Sequence, residues 1–340
     1  MKFQGFPYII GWELTLNCNI KCIHCASTAG ICRENELTLK ESYAIVDQFP
    51  ELFVKKVVFT GGEPLLNPNW FDLALYLKNL NINTGMVTNA LLITKDTILK
   101  MKDCGMNEIG VSIDGPMVVH DLIRNRKGSF NKSISNIMNL VNNDIKVTVL
   151  TSVMGNNILL LQSLYKLIVS LDVSTWQIQP IFPTGRGRKN TFLHLSYDQF
   201  VDMGLFIKRL RPQALKKGLH IIPADSCGYF SSLDFPEFGW HGCTAGRFNL
   251  GIMSDGRIKG CLSWPDTFIE GDLRKNDLWS IWFRDGAFNN LRNIKNEDLK
   301  GTCKDCEVGV DCGGGCQAMS LSAVGDWHAD PFCYRRLYKN

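Results

Sequence analysis

From Tyr8 to about Leu210 the chain alternates between short apolar runs and amphipathic helical stripes. This alternation limits the fold more than any other feature. Successive β-α units close into a parallel sheet with helices outside, either open or partly closed into a barrel. The apolar runs fall at residues 8–16, 57–60, 83–89, 109–114, 146–152 and 175–181, predicting six strands. Between them, Thr38-x-x-Glu41 reads as a capping box ahead of Leu39, Tyr43, Val46 and Phe49. Asn69 opens a second helix, with Trp70, Leu73, Leu77 and Leu80 on one face. Further helices are expected over 94–103, 129–142 (Ile134, Ile137 and Val141 inward) and 159–171, and from Ser196-x-x-Gln199 towards Arg211.

Parallel sheets of this kind place their chemistry at the C-terminal strand ends. The polar and glycine-rich residues fall there. The first run leads into Cys18-x3-Cys22-x2-Cys25, the second into Gly61-Gly62-Glu63-Pro64, and the third ends at Thr88-Asn89. The fourth ends at Ser112-Ile113-Asp114, the fifth at Thr151-Ser152, and the sixth carries Gln177 and Gln179. Three thiolates on one loop can hold three irons of a [4Fe–4S] cube and leave the fourth open to a small molecule. A zinc knot or buried structural cysteines are the alternatives for the octet taken alone.

The C-x3-C-x2-C spacing, with His24 as the aromatic before the third Cys, resembles the signature of the radical S-adenosylmethionine (SAM) superfamily. The resemblance implies that the open iron chelates SAM and that one electron splits SAM to a 5′-deoxyadenosyl radical. It implies a SAM pocket in which Gly61, Gly62 and Glu63 engage the amino group and Ser112 and Asp114 lie by the ribose. Asn89 is a further candidate for that pocket, with a strand-end turn residue as the alternative for Ser112, Asp114 and Asn89 alike, and Arg124, in His120-Asp121-x-x-Arg124, is a candidate for SAM or substrate contact. The Gly185-Arg186-Gly187-Arg188 run lacks the third Gly of a dinucleotide fingerprint and reads as a rim loop whose arginines are candidates for an anionic substrate.

After about Ile222 the alternation stops. Cys243, Cys261, Cys303, Cys306, Cys312, Cys316 and Cys333 form an array that resembles the SPASM domain, with a D-G hairpin around Asp255-Gly256 and a zinc ribbon as the alternative for residues 303–316. The fold expected is therefore α/β: a partial (β/α)6 radical SAM barrel over 1–222, then a small cysteine-rich SPASM domain of hairpin and short helices over 223–340. The resemblance implies two auxiliary clusters, three [4Fe–4S] clusters in all. Cys243, Cys261 and Cys316 would hold the first, and Cys303, Cys306, Cys312 and Cys333 the second. The first either takes Cys227 as fourth ligand or keeps an open iron. Cys104 reads as structural, and Cys32, in the loop after the first cluster, is a candidate hydrogen-atom donor.

Thirteen cysteines without a secretory signal favour metal or redox chemistry over disulfides and a cytoplasmic protein. A net charge of +4 and no basic tract argue against nucleic acid, and no apolar run is long enough for a membrane span. The resemblance implies a maturase that abstracts hydrogen from a ribosomal peptide to form a thioether, C–C or C–O crosslink, fed by a reductant such as flavodoxin or ferredoxin. Only residues 1–7 precede the first strand, so leader recognition is expected to fall to a separate protein or to the barrel. Tetrapyrrole synthesis is the runner-up, because Gly325, Asp326, Asp330, Pro331 and Cys333 fall in a similar pattern. Formylglycine formation of the sulfatase-maturing type is a third reading, and a non-catalytic Fe–S electron carrier a fourth.

Overall fold

A computed structural model describes residues 5–106, 108–229 and 242–335. Seven strands stand side by side in chain order, each parallel to the next: β1 (Ile9–Thr15), β2 (Lys56–Gly61), β3 (Asn83–Thr88), β4 (Glu108–Ser112), β5 (Lys146–Val153), β6 (Thr175–Pro180) and β7 (His220–Pro223). The sheet is an open arc, not a closed barrel, and the expected six β-α units are joined by a seventh strand. β7 runs one residue past the expected boundary at 222. Helices α1 (Leu39–Val46), α2 (Trp70–Asn79), α3 (Lys95–Asp103), α4 (Met117–Arg124), α5 (Ser129–Val141), α6 (Leu161–Ser170) and α7 (Tyr197–Leu215) connect the strands. Both predicted capping boxes form, at Thr38/Glu41 and Ser196/Gln199. Cys104 caps α3, its buried thiol donating to the Met101 carbonyl. Helix α4, absent from the sequence-based expectation, follows Pro116 directly.

The cysteine-rich half is built onto the same sheet. Strand β8 (Asn249–Ile252) pairs in parallel with β1, and β9 (Arg257–Lys259) and β10 (Gly271–Asp272) continue antiparallel beyond it. Gly11 of β1 lies opposite Gly251 of β8, and Leu262 packs over both. That contact fixes where the neighbouring Cys261 comes out. Buried Glu13 locks the seam, accepting from the Ser254 amide and hydroxyl and from Arg33. The core between sheet and helices is filled by large side chains such as Trp12, Phe49, Phe59 and Trp176. No helix among the described residues is long and apolar enough to cross a membrane.

Candidate active site at the strand ends

β1 delivers the cysteine loop to the rim of the sheet, and three neighbouring segments hold its backbone. From β2, Gly62 donates to the Thr15 carbonyl and Glu63 to that of Asn17. A Cβ on Gly62 would lie 2.0 Å from the Asn17 oxygen, and one on Gly61 2.2 Å from the Thr15 oxygen. The two glycines thus permit a close approach to the loop's own backbone as well as presenting the peptide at the cavity wall. From the end of α4, the Ile123 carbonyl accepts from Ile23 and Arg126 donates to the Asn19 carbonyl. From the third side, the Arg186 guanidinium donates to the carbonyls of Cys22 (2.7 Å) and Ala29 (2.8 Å), and the Arg186 amide to that of Cys25. The Gly185–Lys189 segment is a short 3₁₀ turn, and Arg186 is spent on the cysteine loop instead of reaching for substrate. Gly185 abuts the Cys25 and Ala26 carbonyls, where the tight turn leaves no room for a side chain.

Cys18, Cys22 and Cys25 line one cavity of about 260 Å³ together with Gly61, Gly62, Asn89, Ser112 and Arg124. Five of the seven residues expected to contact SAM therefore share that wall. Glu63 and Asp114 sit behind it. Glu63 is fully buried and accepts from the Thr88 hydroxyl and from the Asn89 and Leu65 amides, while burial pushes its carboxyl up. Asp114 pairs with Arg124 at 2.7 Å and accepts from the Ser152 amide. Burial raises the Asp114 carboxyl, but the Arg124 guanidinium, His24, His120 and the Ser152 amide together outweigh it and hold the group below its ordinary range. Each carboxylate is engaged by internal donors, so of the residues expected to contact SAM, Ser112, Asn89, Arg124 and the two glycines line the cavity.

The three thiols fit a cluster that needs thiolates on one loop and an open face. Burial lifts Cys18 to about 11, helped by Cys22, Glu63 and Cys25, and burial also raises Cys22 against the pull of Arg124. Iron must therefore displace protons to bind. Desolvation holds the His24 imidazole down at about 4, so the ring is neutral. Cys32 is exposed and lines neither this cavity nor its neighbour. The neighbouring cavity, about 410 Å³, shares Ala26, Thr60, Gly61 and Ser263 with the first and extends under Trp264 and Asp266 of the cysteine-rich half.

The cysteines of the C-terminal half fall into two groups. Cys316 is buried, and the nearby charges of Asp330, Cys243 and Cys261 add to burial in raising its thiol well above the ordinary value. Cys303, Cys306, Cys312 and Cys333 line a separate cavity with Asp330. Burial, with Asp330 and Cys333, lifts Cys303 to about 11. Among the described residues no three His, Cys, Asp or Glu side chains could hold a single metal ion. The thiolates of a cube bind different irons and need not meet at one point. The Cys227 sulfur lies 3.9 Å from the Ile178 carbonyl, and the next residue, Gly228, abuts Phe332 and Cys333. Asp330 joins this site without any expectation from metal-ligand spacing. It accepts from the Cys316 and Phe332 amides and blocks any side chain at Gly315, and its one sequence signal is its place in the Asp-Pro-x-Cys pattern.

Two family models match: the Radical SAM superfamily over residues 12–159 and the SPASM iron-sulfur cluster-binding domain over 243–307. An AdoMet-dependent heme synthase from Methanosarcina barkeri is 29% identical over 97% of this chain and 97% of its own. The mycofactocin maturase MftC of Mycolicibacterium smegmatis is 28% identical over 93% of this chain and 79% of its own. In fold the chain is similar to Streptococcus suis SuiB bound to S-adenosylmethionine, with a TM-score of 0.78 at 18% identity, over 97% of this chain and 78% of that one.

Proposed function

This chain is a radical SAM enzyme with a C-terminal SPASM domain, and from that premise we propose that it cleaves SAM reductively to oxidise a carboxylate-bearing tetrapyrrole. The observation that carries SAM cleavage is the meeting of Cys18, Cys22 and Cys25 with Gly61, Gly62, Asn89, Ser112 and Arg124 around one cavity. When bound, a three-thiolate cluster there supplies the electron that splits SAM into methionine and a hydrogen-abstracting 5′-deoxyadenosyl group. The chain's own share is to bind, orient and exclude water. The glycine backbone, Asn89 and Ser112 would present polar groups to SAM, and the adjoining cavity under Trp264 would receive the substrate.

Three cubes fit the cysteine sets. Cys18, Cys22 and Cys25 hold the first, Cys243, Cys261 and Cys316 the second, and Cys303, Cys306, Cys312 and Cys333 the third. An electron donor such as flavodoxin or ferredoxin would feed them. The tetrapyrrole reading is favoured by the heme synthase, which aligns over nearly the whole of both chains. A peptide substrate, with or without a separate leader-binding protein, is the second reading and is favoured by the MftC relative.

The test is anaerobic reconstitution, then dithionite, SAM and a carboxylated iron porphyrin. A porphyrin mass change in step with 5′-deoxyadenosine is expected. Changing Cys18, Cys22 and Cys25 to Ala should abolish both while iron stays on the C-terminal half. Deoxyadenosine formed with the porphyrin unchanged would remove the tetrapyrrole reading. Cleavage by the triple variant would remove the site.

A further inference from the structure

Arg124, at the wall of the SAM cavity, forms a buried charge pair with Asp114 and also reaches the cysteine loop. The Arg124 side chain ends α4 and is 8% exposed. One of its terminal nitrogens sits 2.7 Å from Asp114 Oδ2, and the other donates to the Cys22 sulfur at 3.8 Å, within N–H···S reach. Arg124 Nε and His24 Nδ1, both buried, have no hydrogen-bond partner. Burying a guanidinium is costly without full pairing, so unused donor capacity aimed at a cysteine loop calls for an acceptor. The sulfurs of a bound cluster are such acceptors.

Asp114 is itself locked. Its Oδ1 accepts from the Ser152 amide, its own amide donates to His120 Nδ1, and its carbonyl accepts from the Asn157 side chain. The carboxylate therefore has little freedom and fixes the guanidinium fork. The same end of α4 grips the loop at Ile23 and Asn19, so fork and loop move as one.

We propose that Arg124, oriented by Asp114, is a positioning residue that hydrogen-bonds the Cys22 thiolate and sets the reduction potential of the SAM-binding cluster. The proposal rests on Cys22 being a cluster ligand. Hydrogen bonds to the sulfurs and nearby charge are principal levers on such potentials. A donated N–H draws electron density from the thiolate and favours the reduced cluster. Asp114 partly offsets the cation and so limits how far the potential rises.

The experiment is an EPR-monitored redox titration of the reconstituted holoenzyme, following the signal that changes when SAM is added. Arg124→Met should raise the oxidised-to-reduced ratio at a fixed ambient potential at least tenfold, equivalent to about 59 mV for a one-electron couple. Asp114→Asn keeps an acceptor for the fork but removes the negative charge, and should move the ratio the other way. Arg124→Lys keeps the charge without the fork and should fall between Met and the parent, which keeps the proposal testable if the Met variant folds poorly. An unchanged ratio in Arg124→Lys and Arg124→Met, with SAM binding weakened instead, would overturn it and make Arg124 a SAM ligand. If the parent protein holds no SAM-responsive signal at all, the failure lies with Cys22 as ligand and not with Arg124.

Discussion

Gly62→Ala tests how tightly the cysteine loop is tied to the second strand end. The added Cβ would lie 2.0 Å from the Asn17 oxygen, 2.6 Å from its carbonyl carbon and 2.7 Å from the Leu16 oxygen. A carbon–oxygen contact normally sits at about 3.3 Å or more, so a shift of more than about 1 Å is required. All three atoms are backbone, so no side chain can turn aside. The backbone that must give is the run into Cys18, and the Gly62 and Glu63 amide bonds to Thr15 and Asn17 would stretch with it. Overpacking costs about 1–3 kcal/mol when side chains yield, and a backbone clash belongs at the top of that range. At roughly 2 °C per kcal/mol for a chain of this size, Tm should drop by about 6 °C. Iron should fall by about four per chain, one cube's worth, with the auxiliary signals kept. Gly11→Ala is the control, because its Cβ would meet only Leu262 Cδ1 at 3.6 Å and the Leu250 oxygen at 3.9 Å, both ordinary contacts. Calorimetry and iron counting on both variants decide the matter. A Gly62→Ala protein with Tm within about 1 °C of the parent and full iron would refute the reasoning.

Arg186→Ala removes the donors to the Cys22 and Ala29 carbonyls. Hydrogen bonds to charged groups are worth about 1.5–3 kcal/mol each, so lower Tm and lower occupancy of the first cluster should follow; a protein that loses affinity for an anionic substrate at unchanged Tm would return Arg186 to substrate binding. Glu41 is drawn down to about 2 by Arg274 and by the Thr38 amide and hydroxyl. Its folded value lies below the unfolded one, so its stabilisation is full above about pH 4.5 and fades as pH falls towards 2. With the carboxylate 36% exposed, screening leaves about 1 kcal/mol of this. Glu41→Gln should cost that much at pH 7 and flatten the acid limb of a urea-unfolding series, whereas an unchanged limb would mean the pair contributes nothing. Cys227→Ala should lower iron content or alter the signal of the first auxiliary cluster, and unaltered iron and spectra would remove this buried thiol, 3.9 Å from the Ile178 carbonyl, from the ligand set. Loss of iron would make Cys227 the fourth ligand of the first auxiliary cluster.

Features carried by local chemistry were legible in the sequence. The strand set, both capping boxes and the hairpin turn at Asp255-Gly256 follow from periodicity and turn residues within a few positions. Short elements were less visible. β7 has four residues, and the eight residues of α4 are apolar on more than one face, with Val118 and Leu122 exposed and Ile123 buried. Long-range partners were invisible for a physical reason. Nothing near Glu63 announces that Thr88 and Asn89 will take its carboxylate, and nothing near Arg186 announces the Cys22 carbonyl. Pairing of β8 with β1 joins segments far apart in the chain.

These unseen contacts share one effect. Carbonyls of the cysteine loop at Asn17, Asn19, Cys22, Ile23, Cys25 and Ala29 are taken by donors from β2, α4 and the Gly185–Lys189 turn, together with Asn190. A zinc finger leaves its loop to be organised by the metal. Here hydrogen bonds from the protein also organise the backbone, while burial pushes the Cys18 and Cys22 thiols up. Loading of the first cluster therefore exchanges protons on Cys18 and Cys22 for iron, so iron uptake during reconstitution should speed up as pH rises, and a pH-independent rate would refute this.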